Sequence, residues 1–170
     1  MKEVTISLGS NINPLINLQK ANELIIKNFK LIKSSKIYSS KSEGFQGDDF
    51  LNQVILCNTD LEFEKAIQYL KKIETSMGRI KELEKFSDRL IDLDLLTYGD
   101  EILKKNGQEV PHKDIEKYPF VLVPLAEICP EKIHPINKTS FKKMLSEKNN
   151  FFNKVKAVSY THLTLPTTGV

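Results

Sequence analysis

Two kinds of hydrophobic spacing run along the chain, and together they predict six main elements. Residues 3–8, 31–40, 50–60 and 90–96 carry apolar side chains at strand-like spacing. Residues 14–29 and 61–77 repeat apolar side chains every three to four positions, as amphipathic helices do. Asn13 and Pro14 suit the start of the first helix, Asp60 the start of the second, and Gly78 its end.

The element order is strand, helix, strand, strand, helix, strand. This order predicts an α+β fold, a ferredoxin-like antiparallel sheet with helices packed on one face, in a single domain. After it the pattern indicates a hairpin or loop over 98–112, a short helix between prolines within 114–131 and a further helix near 139–148. We expect the domain to cover 1–157. Residues 158–170 differ in composition from the rest and are expected to be a non-native or disordered tail.

Composition narrows the function classes. The 170 residues are 40% hydrophobic with a net charge of +3, and no basic block is interleaved with aromatic residues, which disfavours nucleic acid as a partner. No apolar run reaches the ~18 residues of a membrane span. Cys57 and Cys129 lack metal-site spacing, so we expect inert thiols in a reduced, cytoplasmic protein.

Two carboxylates interrupt the strand at the end of "KFSDRLIDLDLL". Because strand side chains alternate, Asp92 and Asp94 should point to the same face, roughly 6.6 Å apart along the chain. Two such charges repel by roughly 2–3 kcal/mol at an effective dielectric near 20. Mg²⁺ between them would remove that repulsion and could carry a nucleotide triphosphate. A solvent-facing strand edge would give the same spacing, so both readings stay open at this point.

The loop before this strand is basic. Arg79, Lys81, Lys85 and Arg89 could hold phosphate oxygens, although a solvated charged face is the simpler alternative. The chain has no G-x-x-x-x-G-K-[ST] phosphate loop. Bound ATP would therefore depend on metal ions and basic side chains.

Several ordered blocks together resemble one family. "SLGSN", "IYSSKSEGFQGDDFLNQV", "KKIETSMGR", "IDLDLLTYG", "VPHKDI" and "FVLVPLAEICPE" are similar to the 6-hydroxymethyl-7,8-dihydropterin pyrophosphokinases over about residues 2–150. The resemblance implies an enzyme of folate biosynthesis, an ATP-dependent diphosphotransferase. It would transfer pyrophosphate from ATP to the hydroxymethyl group of the pterin and release AMP, with two Mg²⁺ ions as cofactors.

The resemblance also implies the site residues. Asp92 and Asp94 would be the metal ligands, and they would act with Arg79 and Arg89 in catalysis. ATP would contact Glu74, Arg79, Lys81, Lys85, Arg89 and His112. The pterin would contact Ser40, Ser42, Glu43, Gly44, Asn52, Phe86 and Phe120. For each residue an ordinary structural role is the alternative: a surface or capping carboxylate for Glu74, a loop histidine for His112, a core ring for Phe120.

The chain departs from the family pattern at several positions. Ser87 and Asp88 stand where Gly-Pro is usual, and Tyr118 stands where a basic residue is frequent. We expect ATP and the pterin as partners, a monomer, and no membrane. A degenerate paralogue that binds ATP or pterin, or a ferredoxin-like regulatory domain, remains the alternative.

Overall fold

The computed structural model describes residues 1–41, 49–78 and 90–159. Within them the chain forms eight strands, five α-helices and a 3-10 helix at Phe152–Lys154. The strands are β1 Lys2–Ser10, β2 Lys30–Ser34, β3 Ile37–Ser40, β4 Phe50–Thr59, β5 Asp92–Tyr98, β6 Leu103–Lys105, β7 Gln108–Val110 and β8 Lys156–Val158. The helices are α1 Pro14–Ile25, α2 Phe63–Ser76, α3 Asp114–Lys117, α4 Pro119–Ile128 and α5 Phe141–Ser146.

The main sheet is antiparallel and has the order β5-β1-β4-β3-β8, with β2 also paired to β4. The first strand therefore lies between the third and fourth strands of the predicted pattern, as the ferredoxin-like order requires. The predicted fold class is confirmed. β6 and β7 form a separate hairpin.

Helices cover both faces of the sheet, so the expectation of helices on one face was wrong. On one face Val4, Ile6 and Leu8 pack with α1 and α2 in a first core cluster. On the other, Val54 and Leu56 pack with α4 and α5 in a second. The physical reason lies in β4, whose central residues are apolar on both faces and need cover on both. No described helix is long and apolar enough to cross a bilayer.

Local hydrogen bonds explain where the element boundaries differ from expectation. The predicted strand 31–40 is divided into β2 and β3 because the hydroxyl of Ser35 accepts the N–H of Val54 and interrupts the regular ladder. Asp60 does not cap α2. The hydroxyl of Thr59 accepts the N–H of Leu61 instead, and the helix begins at Phe63.

The last described strand, β8, lies at the edge of the main sheet. Val158, the first residue of the expected tail, pairs with Ile37 in the sheet. Composition alone gave no sign of this pairing. Residues 160–170 lie outside the described residues.

Candidate active site

One row of paired residues crosses four strands and forms the floor of the site. Asp92 on β5 pairs with Gly9 on β1, Gly9 with Asn52 on β4, and Asn52 with Tyr38 on β3. Directly paired residues of an antiparallel sheet share a face. The row is polar at Asp92 and Asn52, and the glycine between them leaves the floor open.

A cavity of about 270 Å³ stands on this floor. Gly9, Asn52 and Asp92 lie at its base, and Asp94 lies beside them. Its other walls come from β3, β4 and the start of α4, with Ser40, Lys41, Phe50, Tyr118, Phe120 and Val121 among the lining residues. Ligand sites typically combine apolar walls with a few polar groups in this way.

The two aspartates share a face, as strand alternation requires. Leu93 between them is buried in the first core cluster, whereas Asp92 and Asp94 line the cavity and are half-buried. Both also border a second cavity of about 230 Å³, which lies between α2 and β5. The pair therefore stands at the boundary of two adjacent cavities.

Glu74 holds the strand that carries the aspartates. Its side chain is only 7% exposed, and Oε2 accepts the backbone N–H of Leu93 at 2.7 Å. Glu74 also lines the second cavity. A surface position for this residue is excluded, and its carboxylate fixes the backbone between Asp92 and Asp94.

His112 is attached to the same strand from the other side. Its backbone N–H donates to the backbone carbonyl oxygen of Leu96 at 2.8 Å. Its Nδ1 accepts the backbone N–H of Asp114 at 3.1 Å, and its Nε2 lies 3.8 Å from Oδ1 of Asp94. Because Nδ1 is an acceptor, the proton of the neutral ring lies on Nε2, the nitrogen nearer to Asp94.

Asp94, His112 and Asp114 form a compact group. One ligand atom from each lies within 4.8 Å of the others, so the group could hold a cation. Asp92 is not a member of this group, although it lines the same cavity. Asp114 was not singled out from the sequence, and only the tertiary fold brings it to the pair.

Asn52 is buried at the floor and makes two hydrogen bonds with β3. Its Nδ2 donates to Oγ of Ser40 at 2.7 Å and to the carbonyl oxygen of Tyr38 at 3.3 Å. The other side of the amide lies over Gly9, where an added Cβ would stand 3.2 Å from Oδ1. The absence of a side chain at Gly9 makes room for the amide.

Three aromatic rings line the first cavity. Phe120 stacks on Tyr118 with ring centroids 4.9 Å apart and an angle of 20° between the planes. Phe50 lies at the start of β4, and all three rings border the cavity. Phe120 is only half-buried, which a simple core role would not require. Phe50 was not predicted, although it lies two residues before Asn52 and so shares its face.

Eight predicted residues lie outside the described residues: Ser42, Glu43, Gly44, Arg79, Lys81, Lys85, Phe86 and Arg89. The seven others fall around the two cavities. Ser40, Asn52, Phe120, Asp92 and Asp94 line the first cavity, Glu74 lines the second, and His112 lies beside Asp94.

Comparisons with known proteins identify the family. The model of the family 7,8-dihydro-6-hydroxymethylpterin-pyrophosphokinase matches residues 5–130. The 2-amino-4-hydroxy-6-hydroxymethyldihydropteridine pyrophosphokinase of Aquifex aeolicus is 38% identical over 149 residues, covering 86% of this chain and 92% of that protein. The protein of the same name from Haemophilus influenzae is 37% identical, covering 76% of this chain and 83% of its own.

Solved structures extend the likeness to the fold. A Plasmodium falciparum HPPK-DHPS A437G structure with SDX-DHP superposes with a TM-score of 0.73 at 14% identity, covering 92% of this chain and 48% of that one. The triple mutant S436F/A437G/A613S gives a TM-score of 0.70 and covers 86% of this chain. This chain spans less than half of those longer chains, and at such identity the likeness concerns the fold. From the family match and the curated relatives, the chain belongs to the 7,8-dihydro-6-hydroxymethylpterin pyrophosphokinase family.

Proposed function

We infer that the protein transfers pyrophosphate from ATP to the hydroxymethyl group of 6-hydroxymethyl-7,8-dihydropterin in folate biosynthesis. The hydroxymethyl oxygen attacks the β-phosphorus of ATP and gives up its proton to solvent. The bond from the β-phosphorus to the oxygen that bridges the α- and β-phosphates breaks, and AMP leaves. Family membership supports the reaction. The observation that carries the assignment to this site is the position of Asp92 and Asp94 between two adjacent cavities.

The first cavity is proposed to hold the pterin. A flat heteroaromatic ring needs aromatic faces and a polar partner at its edge. Phe50 and Phe120 supply faces, and Asn52 supplies the edge group beside Gly9. Ser40 also lines the first cavity. Ser42, Glu43, Gly44 and Phe86 complete the proposed pterin contacts by resemblance alone.

The second cavity is proposed to hold the nucleoside of ATP. Ile67 and Leu70 of α2 give it an apolar wall, and residues 92–95 of the edge strand β5 give it backbone groups. Gln108 adds a polar side chain at the rim. The triphosphate would then run along β5 towards the aspartates. Arg79, Lys81, Lys85 and Arg89 are proposed to hold its oxygens by resemblance.

The donor set at the boundary fits magnesium. Asp92 and Asp94 are half-buried carboxylates at a cavity, and Mg²⁺ prefers one or two carboxylates together with phosphate oxygens. Bound Mg²⁺, proposed as two ions, neutralises charge on the triphosphate. His112, whose Nδ1 accepts the Asp114 N–H, can donate from Nε2 to a phosphate oxygen. The protein otherwise positions the two substrates, which supplies much of the acceleration in phosphoryl transfer.

Product analysis tests the reaction. The protein is incubated with ATP, Mg²⁺ and the hydroxymethyl pterin, and nucleotides are separated by ion-exchange chromatography. We expect AMP and the pterin diphosphate in equal amounts. ADP as the sole nucleotide product would contradict the proposal.

We further propose a monomeric cytoplasmic enzyme, which light scattering and cell fractionation would test.

A further inference from the structure

Ser7 brings a hydroxyl group to the floor of the first cavity. It lies on β1 two residues before Gly9 and therefore faces the same side of the sheet. Within residues 4–10 of this strand, all of which the structure describes, only Ser7 is not buried. Its side chain is half-buried and opens on the cavity.

The register of the sheet places Ser7 beside the pair of aspartates. Ser7 pairs directly with Asp94 on β5, as Gly9 pairs with Asp92. Directly paired residues have Cβ atoms roughly 5 Å apart, and the two pairs are separated by about 7 Å along the strands. On its other side Ser7 pairs with Val54, which is apolar and belongs to the second core cluster. The polar cross-strand neighbour of the Ser7 hydroxyl is therefore Asp94.

The Ser7 hydroxyl has no hydrogen-bond partner among the described residues. Thr5, which lies two residues earlier on the same face, differs in this respect. Its hydroxyl meets that of Thr97 at 2.6 Å, and both side chains are fully buried. The sheet thus satisfies its buried hydroxyl groups internally and leaves the hydroxyl of Ser7 to the cavity.

We propose that Ser7 is a substrate-binding residue whose hydroxyl donates a hydrogen bond to the hydroxymethyl oxygen of the pterin. This inference rests on the proposed function and deepens it. The hydroxymethyl oxygen must reach the β-phosphorus of ATP beside Asp92 and Asp94. The hydroxymethyl end of a ring that lies over Gly9 is then directed towards Ser7 and Asp94.

The hydrogen bond would fix the rotation of the hydroxymethyl group. A hydroxyl oxygen has two lone pairs. One accepts the Ser7 O–H, the other faces the β-phosphorus, and the proton of the hydroxymethyl group remains open to solvent. Holding the reacting oxygen in this way is a form of positioning, which is a main source of rate acceleration in phosphoryl transfer.

The binding of two rings by two proteins tests the inference without turnover. The rings are 6-hydroxymethyl-7,8-dihydropterin and 6-methyl-7,8-dihydropterin, which lacks the oxygen, and the proteins are the wild type and Ser7→Ala. Dissociation constants are measured by calorimetry with Mg²⁺ and a non-hydrolysable ATP analogue present. We expect Ser7→Ala to weaken binding of the hydroxymethyl ring about fivefold and to change that of the methyl ring by less than about twofold.

Two further variants support this comparison. Ser7→Cys keeps a side chain of similar size with a weak S–H donor, so it should behave like Ser7→Ala. Ser39→Ala is the matched control, because Ser39 is also a half-buried serine of the main sheet and lies outside the lining of both cavities. It should leave both dissociation constants unchanged.

The cycle separates a contact with the hydroxymethyl group from a general structural role. Equal weakening of both rings in folded Ser7→Ala, or unchanged binding of the hydroxymethyl ring, would overturn the inference. Weaker binding of the ATP analogue alone would assign the hydroxyl to the triphosphate and would also overturn it. If the wild-type protein bound neither ring and released no AMP from ATP, the proposed function itself would fail, so the two failures are distinguishable.

Discussion

Removing the carboxylate of Glu74 should loosen the strand that carries both aspartates. Glu74 is 7% exposed and accepts the Leu93 N–H at 2.7 Å, and Leu93 itself is only 6% exposed. A hydrogen bond to a charged group contributes roughly 1.5–3 kcal/mol, and a buried N–H left without an acceptor costs a similar amount. We expect Glu74→Ala to lower the free energy of unfolding by about 2–3 kcal/mol. Glu74→Gln, which keeps a neutral acceptor, should lower it by about 1 kcal/mol.

Two measurements check this expectation. Urea denaturation gives the free energy of unfolding, and amide hydrogen exchange by NMR reports the Leu93 N–H directly. The exchange of Leu93 should accelerate in Glu74→Ala more than that of amides in α1. The matched control is Glu23→Ala, which removes an exposed carboxylate from α1 and should change stability by less than about 0.5 kcal/mol. Unchanged Leu93 exchange and stability in Glu74→Ala would refute the anchoring role.

Three further predictions concern other parts of the molecule. Gly9→Ala should raise the KM for the pterin and not that for ATP, since its Cβ would stand 3.2 Å from Oδ1 of Asn52; equal effects on both substrates would contradict this. Burial lowers the pKa of His134 below its ordinary 6.5. The stability that the neutral His134 side chain contributes is therefore fully present above pH 6.5 and is lost as the pH falls through the lowered pKa. His134→Ala should therefore weaken the decline of stability between about pH 7 and 5 in urea titrations, and an unaltered decline would exclude the effect. Burial raises the pKa of Cys57 to about 12 and that of Cys129 to about 11. Iodoacetamide should therefore label both thiols at a pH near 8 only when urea unfolds the protein. Rapid labelling of the folded protein would contradict the inertness of these thiols.

Strand alternation made the main feature of the site predictable from sequence. A period of two places Asp92 and Asp94 together and buries Leu93, and the structure shows this arrangement. The same rule could have identified Phe50, which lies two positions before Asn52. The helical period could likewise have shown that Glu74 is buried, because it lies four residues after the buried Leu70. In these cases the signal was present and local.

Other features depend on contacts that no local pattern contains. The distance from Gly9 to Asn52 follows from the register of β1 on β4, and the distance from His112 to Asp94 from a turn that returns the chain to β5. The second helical layer was missed for a different reason. An apolar run such as "VILC" in β4 buries both faces, but it does not say which later segment covers the second face.

Electron paramagnetic resonance of Mn²⁺ measures whether the paired aspartates bind a divalent cation. Mn²⁺ replaces Mg²⁺ and is titrated into the protein with a non-hydrolysable ATP analogue, for the wild type and for Asp92→Asn and Asp94→Asn. We expect tight binding by the wild type and at least about tenfold weaker binding by each folded variant. Equal Mn²⁺ affinity in all three proteins would contradict this expectation.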